Sequence, residues 1–288
     1  IAFASMIDES IPKNEGLFRP LTVIAPPGTV VNPREPAPVT ECTVHVGGEV
    51  AEAIAFALEK VVPQRAYSQK IPMATPVILY GTDPGTGKFF SDHNLDTFGG
   101  GCRAAWNTDG WGLHPSIFGP INLYNTETCE LSFPSMTVGW EYLPDTAGAG
   151  KWRGTCAVYS KKVVRSPQTA NFIALGTRYP SRGFNGGRDG RPARFIFRQG
   201  SEDEVVIDRF CDREPILPGQ VWYQENPSGG GWGNPFERDP RRVLEDVLNE
   251  YSSIEGARRD YGVVIDPDSR EIDEQATESL RKELQARK

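Results

Sequence analysis

The chain has 288 residues, 38% hydrophobic and 10% aromatic, which is enough for a sizeable core in one large or two modest domains and excludes general disorder. Its 30 glycines and 24 prolines, nearly a fifth of the residues, disfavour a helical bundle and favour strands, turns and extended polyproline-like chain. A net charge of -7 without a Lys/Arg block argues against nucleic acid or an anionic membrane as main partner, and no apolar run reaches the roughly 20 residues of a membrane helix.

Residues 14–39 run through Pro20, Pro26, Pro27, Pro33, Pro36 and Pro38, leaving no stretch for a helix, so extended, turn-rich chain is predicted. From about 48 to 62, Val50, Ile54, Ala57, Leu58 and Val61 recur at three- and four-residue spacing. This predicts an amphipathic helix that ends before Pro63 and packs that face on a sheet. Residues 76–80 read as a strand, Asp83-Pro84-Gly85-Thr86-Gly87 as a turn and 88–91 as the return strand. From 99 to 120 Gly, Pro and aromatic residues alternate with neither helical nor strand period, which suggests packed extended chain. Short apolar runs at 138–143, 156–164, 172–177, 194–197 and 205–207, set apart by Gly, Pro, Ser or Asp, predict an antiparallel sheet or barrel.

The tail changes character after Pro235. Asp239 as N-cap and Pro240 at the first helical position open a helix with Val243, Leu244, Val247 and Leu248 on one face. Ser252 and Glu255 suggest a capping box for a second helix ending near Gly262, and Ala276, Leu280 and Leu284 form the stripe of a third over 273–288. The expected organisation is a β-rich region over 1–235 and a helical tail over 236–288.

Five cysteines, Cys42, Cys102, Cys129, Cys156 and Cys211, are spread without a CxxC pair, which suggests reduced thiols and a cytoplasmic protein. The opening at Ile1 reads as the inside of an element. Residues 81–88 mimic a phosphate loop, but Thr82 stands where its first Gly is needed, Phe89 replaces the Ser/Thr after Lys88, and Pro84 removes a donor. A hairpin turn is expected instead. Of His45, His93 and His114, none lies in a close ligand pattern; Asp92 with His93, or Asp109 with His114, would serve a metal only if folding joined them. No Ser elbow or Cys-His signature supports a self-contained hydrolase triad.

Residues 178–198 carry Arg178, Arg182, Arg188, Arg191, Arg194 and Arg198 against one acid, Asp189. Such guanidinium forks suit carboxylate, phosphate or bicarbonate, and equally a solvated rim or a subunit contact. The glycine run 228–235 allows backbone to approach backbone or ligand closely, with Trp232 to stack on what it exposes; alone it also reads as a linker.

Taken in order, these segments resemble the hydantoinase B/oxoprolinase family. The matching pieces begin with residues 11–20, Ala25 to Gly28 and Asn32-Pro33, then Val46-Gly47-Gly48 and residues 98–101. They continue through 144–154, Gly183-Phe184-Asn185-Gly186-Gly187, Pro218-Gly219, 229–235, 237–240 and 257–264. The resemblance spans nearly the whole chain but only the C-terminal half of the family's length, and a His-Thr-His-like stretch of the family is Leu113-His114-Pro115-Ser116 here. It implies a mixed, β-rich fold: antiparallel sheets in a barrel-like arrangement with Gly/Pro-rich polyproline-like segments and a small C-terminal helical region.

The resemblance also implies a subunit of an ATP-dependent, multisubunit hydantoinase/oxoprolinase-type amidohydrolase that completes hydrolysis of a phosphorylated cyclic amide. Alternatives are a subunit of an ATP-dependent ketone carboxylase of the acetone or acetophenone type, or a non-catalytic structural subunit. A hydantoinase-A-type ATPase partner would hold ATP and Mg, another chain would supply the N-terminal half, and a divalent metal in the complex has no ligand set assignable here. Arg188, Asn185 and His114 are the expected catalytic residues, while Trp106, Trp111 and Phe118 serve either an aryl-ketone pocket or the core.

Overall fold

The computed structural model describes residues 4, 7–8, 10–39, 46–69, 77–97, 100–113, 125–209 and 211–286. Its strands, in chain order, are β1 (Val77–Thr82), β2 (Phe89–Asn94), β3 (Ser135–Tyr142), β4 (Val158–Val164), β5 (Gln168–Phe172), β6 (Arg194–Phe197), β7 (Val205–Ile207), β8 (Cys211–Ile216) and β9 (Val221–Glu225). They form two antiparallel sheets, ordered β2-β1-β5-β8 and β3-β4-β9-β6-β7. The helices are α1 (Glu15–Phe18), α2 (Val46–Leu58), α3 (Thr126–Ser132), α4 (Pro240–Leu248), α5 (Ile254–Tyr261) and α6 (Glu274–Ala286).

Strict alternation drives the layering. On β4, Val158, Ser160, Lys162 and Val164 are buried while their neighbours are half-exposed, and Gln168, Ala170 and Phe172 repeat the pattern on β5. Two one-sided sheets cover those faces by stacking. The apolar part of the interior joins Val77, Leu79 and Phe172 to Phe195, Phe197 and Trp222, with the Phe172 and Phe197 rings edge-on at 5.1 Å. The barrel-like expectation is corrected here: among the described residues no strand pair links the sheets, and β2, β8, β3 and β7 remain edges.

The β1–β2 turn is the expected hairpin, closed by Asp83, whose Oδ1 accepts from Gly85 N at 2.7 Å and Thr86 N at 3.0 Å. Strands β6 and β7 coincide with their apolar runs, whereas β5 begins four residues earlier than its run. Strand β8, rich in charged residues and containing Pro215, escaped a reading based on apolar runs. A proline is tolerated there because β8 pairs on one side only.

Helix α2 forms where predicted but buries a different face. Gly48, Ala51, Glu52 and Ala55 turn inward, with Glu52 paired to Arg103, whereas Val50, Ile54 and Val61 are exposed. Small side chains let this helix lie close to the body, and the larger aliphatic stripe is left outside.

Beside the sandwich lies a bundle of extended glycine-rich segments with residues 228–233 at its centre. Ser228 and Gly231 donate to the carbonyls of Arg191 and Arg188; Gly229 and Trp232 donate to those of Thr155 and Trp152. Donors three residues apart thus reach the same neighbour, as three residues per polyproline-like turn require. Packing is backbone on backbone: a Cβ on Gly229 would overlap the Cys102 carbonyl, and one on Gly231 the Ala149 carbonyl.

The tail docks on this bundle through Ala149, Val243, Val247, Ala257, Tyr261 and Val263. Asp239 caps α4 as expected, accepting from Arg241 N at 2.9 Å. The cap of α5 is Ser253, one residue past the predicted Ser252, which instead donates to Asp145 at 2.9 Å. Arg238, 1% exposed, donates to both Asp109 oxygens at 2.8 and 2.9 Å and to Asp246 at 2.7 Å, while Arg153 Nε holds Asp246 at 2.7 Å. Burial opposes ionisation of Asp109, but the Arg238 hydrogen bonds and charge outweigh it and hold the carboxyl below its usual range.

Candidate functional site

A cleft of about 250 Å³ opens where the glycine-rich bundle meets α5. Two bundle segments, near residues 145–149 and 188–191, form its floor, and α5 brings Arg259 and Asp260 to its edge. Asp260 accepts from Arg188 Nη1 at 2.5 Å and from Arg259 Nη2 at 2.6 Å, while Arg191 pairs with the buried Glu225 at 3.2 Å. Hydrogen bonding by Asp260 holds Arg259 firmly protonated. Arg188 uses Nη1 alone, which leaves Nε and Nη2 without a protein acceptor among the described residues. A guanidinium so placed can hold a two-oxygen anion while Asp260 fixes its orientation.

Of the other residues singled out in the sequence, those among the described residues fall elsewhere. Asn185 sits in a left-handed turn (φ 49°), exposed, where Gly187 N donates back to Phe184 O at 2.9 Å; it does not line the cleft. His114 and His45 lie outside the described residues, as does Phe118. Trp106 and Trp111 are 53% and 72% exposed, so neither is a core residue. Asp92 and His93 are neighbours on β2 and therefore face opposite sides, and both oxygens of Asp109 are held by Arg238 and Arg242. Asp92 and His93 therefore make no ligand set, the partner His114 of Asp109 lies outside the described residues, and no group of three His, Cys, Asp or Glu that could hold a metal occurs among the described residues.

A second cluster of titratable groups was not read from the sequence. Lys162 on β4, 1% exposed, pairs with Asp96 Oδ2 at 2.9 Å and reaches Cys129 Sγ at 3.4 Å, and Ser160 Oγ donates to Asp96 at 2.8 Å. Asp92, equally buried, has no hydrogen-bond partner among the described residues on either oxygen, and its neighbour on the same face, Asn94, has none there on its amide. Alternation on β2 and β4 was the only available signal; it placed these groups inside without saying that the two sheets face each other.

Burial pushes the Asp92 carboxyl up to about 6; Lys162 opposes this and Asp96 adds to it. The unfolded carboxyl titrates near 4, so the folded state binds the proton more tightly, and stability falls as pH rises from about 4 to about 6. Asp92→Asn is therefore expected to flatten this part of the pH profile and to raise stability at pH 7 by about 3 kcal/mol. Urea titrations at pH 4.5 and 7 check it, and an unchanged pH dependence would remove Asp92 as its source.

The family's sequence model, described as hydantoinase B/oxoprolinase, matches residues 1–235. The chain belongs to the hydantoinase B/oxoprolinase family. It is 31% identical over 281 residues to the beta subunit of caprolactamase from Pseudomonas jessenii, covering 94% of this chain and 48% of that one. With a subunit of the putative D-/L-hydantoinase of Pseudomonas sp. (strain NS671) it shares 30% over 283 residues, covering 98% and 47%. The acetophenone carboxylase delta subunit of Aromatoleum aromaticum is 23% identical over 312 residues, covering 94% and 45%. The crystal structure of ATP-dependent caprolactamase from Pseudomonas jessenii superposes with a TM-score of 0.84 at 27% identity over 98% of this chain and 50% of that one. The chain thus spans about half the length of these relatives.

Proposed function

We propose that this chain is part of an ATP-dependent, multisubunit amidohydrolase of the hydantoinase/oxoprolinase type, acting after a companion ATPase has phosphorylated a cyclic amide. The observation that carries this reading is the likeness in sequence and fold to caprolactamase, extending over nearly the whole chain. Phosphorylating an amide oxygen turns a poor leaving group into a good one, and hydrolysis then needs the phosphorylated species held and oriented. Among the described residues of this cleft, Arg188, with Nε and Nη2 left over, is suited to that anion. Asp260 orients it from below.

The ATPase partner, of hydantoinase-A type, would hold ATP and Mg. The residues of the present chain offer no phosphate cradle at Lys88, which lies exposed in the β1–β2 turn. Lys88→Ala is accordingly expected to leave the ATP affinity of the complex unchanged; a loss of about tenfold, or 1.4 kcal/mol, would place nucleotide here. A cytoplasmic location fits this partner set, and among the described residues no helix is long and apolar enough to cross a membrane.

Ketone carboxylation is the second reading, favoured by the likeness to the acetophenone carboxylase delta chain. Incubating the purified complex with ATP and either a lactam or hydantoin, or a ketone with bicarbonate, separates the two. Phosphate release driven by the cyclic amide is expected; release driven by ketone and bicarbonate alone would overturn the hydrolase. In the same assay Arg188→Lys should lower turnover about tenfold or more with assembly intact, because a point charge cannot replace the bidentate fork. Full turnover in both Arg188→Lys and Arg188→Ala would make the residue part of the rim.

A further inference from the structure

Residues 12–39 contain no buried side chain. Their turns are held from within: Asn14 Oδ1 accepts from Gly16 N at 3.0 Å, Thr29 Oγ1 donates to Pro26 O at 2.8 Å, and Asn32 Nδ2 donates to Ala25 O at 2.7 Å. Among the described residues, every hydrogen bond of residues 14–39 stays within seven positions. Yet this arm carries Phe18, Val23, Ile24, Val30, Val31 and Val39 in the open, with Val23, Ile24 and Val30 more than four-fifths exposed. Single apolar side chains on a surface are ordinary; six on one arm that contributes nothing to its own core are not. The prolines preset an extended backbone, so little conformational freedom is left to lose on docking.

The crystal structure of caprolactamase shows what accompanies this fold. There, 98% of the present chain aligns to only 50% of the polypeptide, so an equal length of that polypeptide lies outside the match. We propose that residues 18–39 are a clasp that docks on this complementary half of the family architecture. Its receiving surface is an aliphatic groove rimmed by carboxylates for Arg19 and Arg34, the basic side chains of the clasp. The proposal rests on the reading that the working enzyme contains this complementary half.

A photo-crosslinking residue placed at Val23 or Val30 in the assembled complex tests it. Crosslinks are expected to polypeptide whose sequence matches the family's other half, identified by mass spectrometry. In parallel, the triple substitution V23D/I24D/V30D should strip that polypeptide from the complex by about 100-fold or more in affinity. The melting temperature of the isolated chain should stay within about 2 °C, because no buried contact is lost. Crosslinks to a second copy of this chain or to the ATPase, no crosslinks at all, or full assembly of the triple variant would each overturn the clasp. The readout is assembly, so absence of amide-driven phosphate release from an intact complex would count against the proposed reaction and leave the clasp standing.

Discussion

Alanine at Gly229 is expected to unfold the chain. Its added methyl would occupy the position of the Cys102 carbonyl, and neither backbone can retreat, because Gly229 N donates to Thr155 O at 3.0 Å and Thr155 N donates to Cys102 O at 2.8 Å. Relief requires the central segment of the bundle to separate from its neighbours, which leaves buried backbone groups unpaired at about 1–3 kcal/mol each. A loss above about 4 kcal/mol follows, well beyond ordinary overpacking. Gly200→Ala provides the control. Gly200 has a positive φ (80°) and meets nothing within 4 Å, so only the left-handed strain of about 1–2 kcal/mol applies. Urea titrations followed by tryptophan fluorescence read both, and similar midpoints for the two variants would show that the bundle tolerates separation.

Lys162→Met is expected to cost about 3–5 kcal/mol at pH 7, because it leaves Asp96 and Asp92 inside the sandwich without their cation. The side chain is of similar length, so packing is largely kept and the charge change dominates. For a chain of this size the melting temperature should fall by about 10 °C. Two controls separate charge from shape. Acidification towards pH 5 should recover part of the loss, since Asp92, already raised by burial, takes up a proton more readily once Lys162 no longer opposes it. Adding Asp92→Asn and Asp96→Asn to Lys162→Met should restore most of the stability, as neutral replacements of buried ion clusters often do. A single variant that melts with the wild type would show that the cluster is solvated.

The anion-binding candidate was only partly legible in the sequence. The density of arginine between 178 and 198 drew attention to loops of which one, carrying Arg188, lines a cleft. Its partner Asp260 could not be foreseen, since 72 residues separate them and only the docking of α5 on the bundle brings them together. Asn185 was drawn in by proximity in sequence to Arg188. The turn spends it on a left-handed backbone position away from the cleft. The Asp92–His93 pairing failed for another local reason: adjacent strand residues point apart.

Local chemistry alone determined much of the fold. Proline and glycine content called for extended chain, although one turn of helix, α1, forms inside the 14–39 stretch; short apolar runs marked β4, β6 and β7, Asp83 and Gly87 made the hairpin, and Asp239-Pro240 opened α4, because each depends on residues within a few positions. What the tertiary structure decided was which faces met. The stripe of α2 that periodicity marked for burial stayed outside while its small residues packed inward, the stacked sheets remained open, and Lys162 met Asp96 across the interior. Periodicity fixes which side chains share a face, but which face is covered depends on the shapes of surfaces far apart in the chain, and no local pattern encodes that.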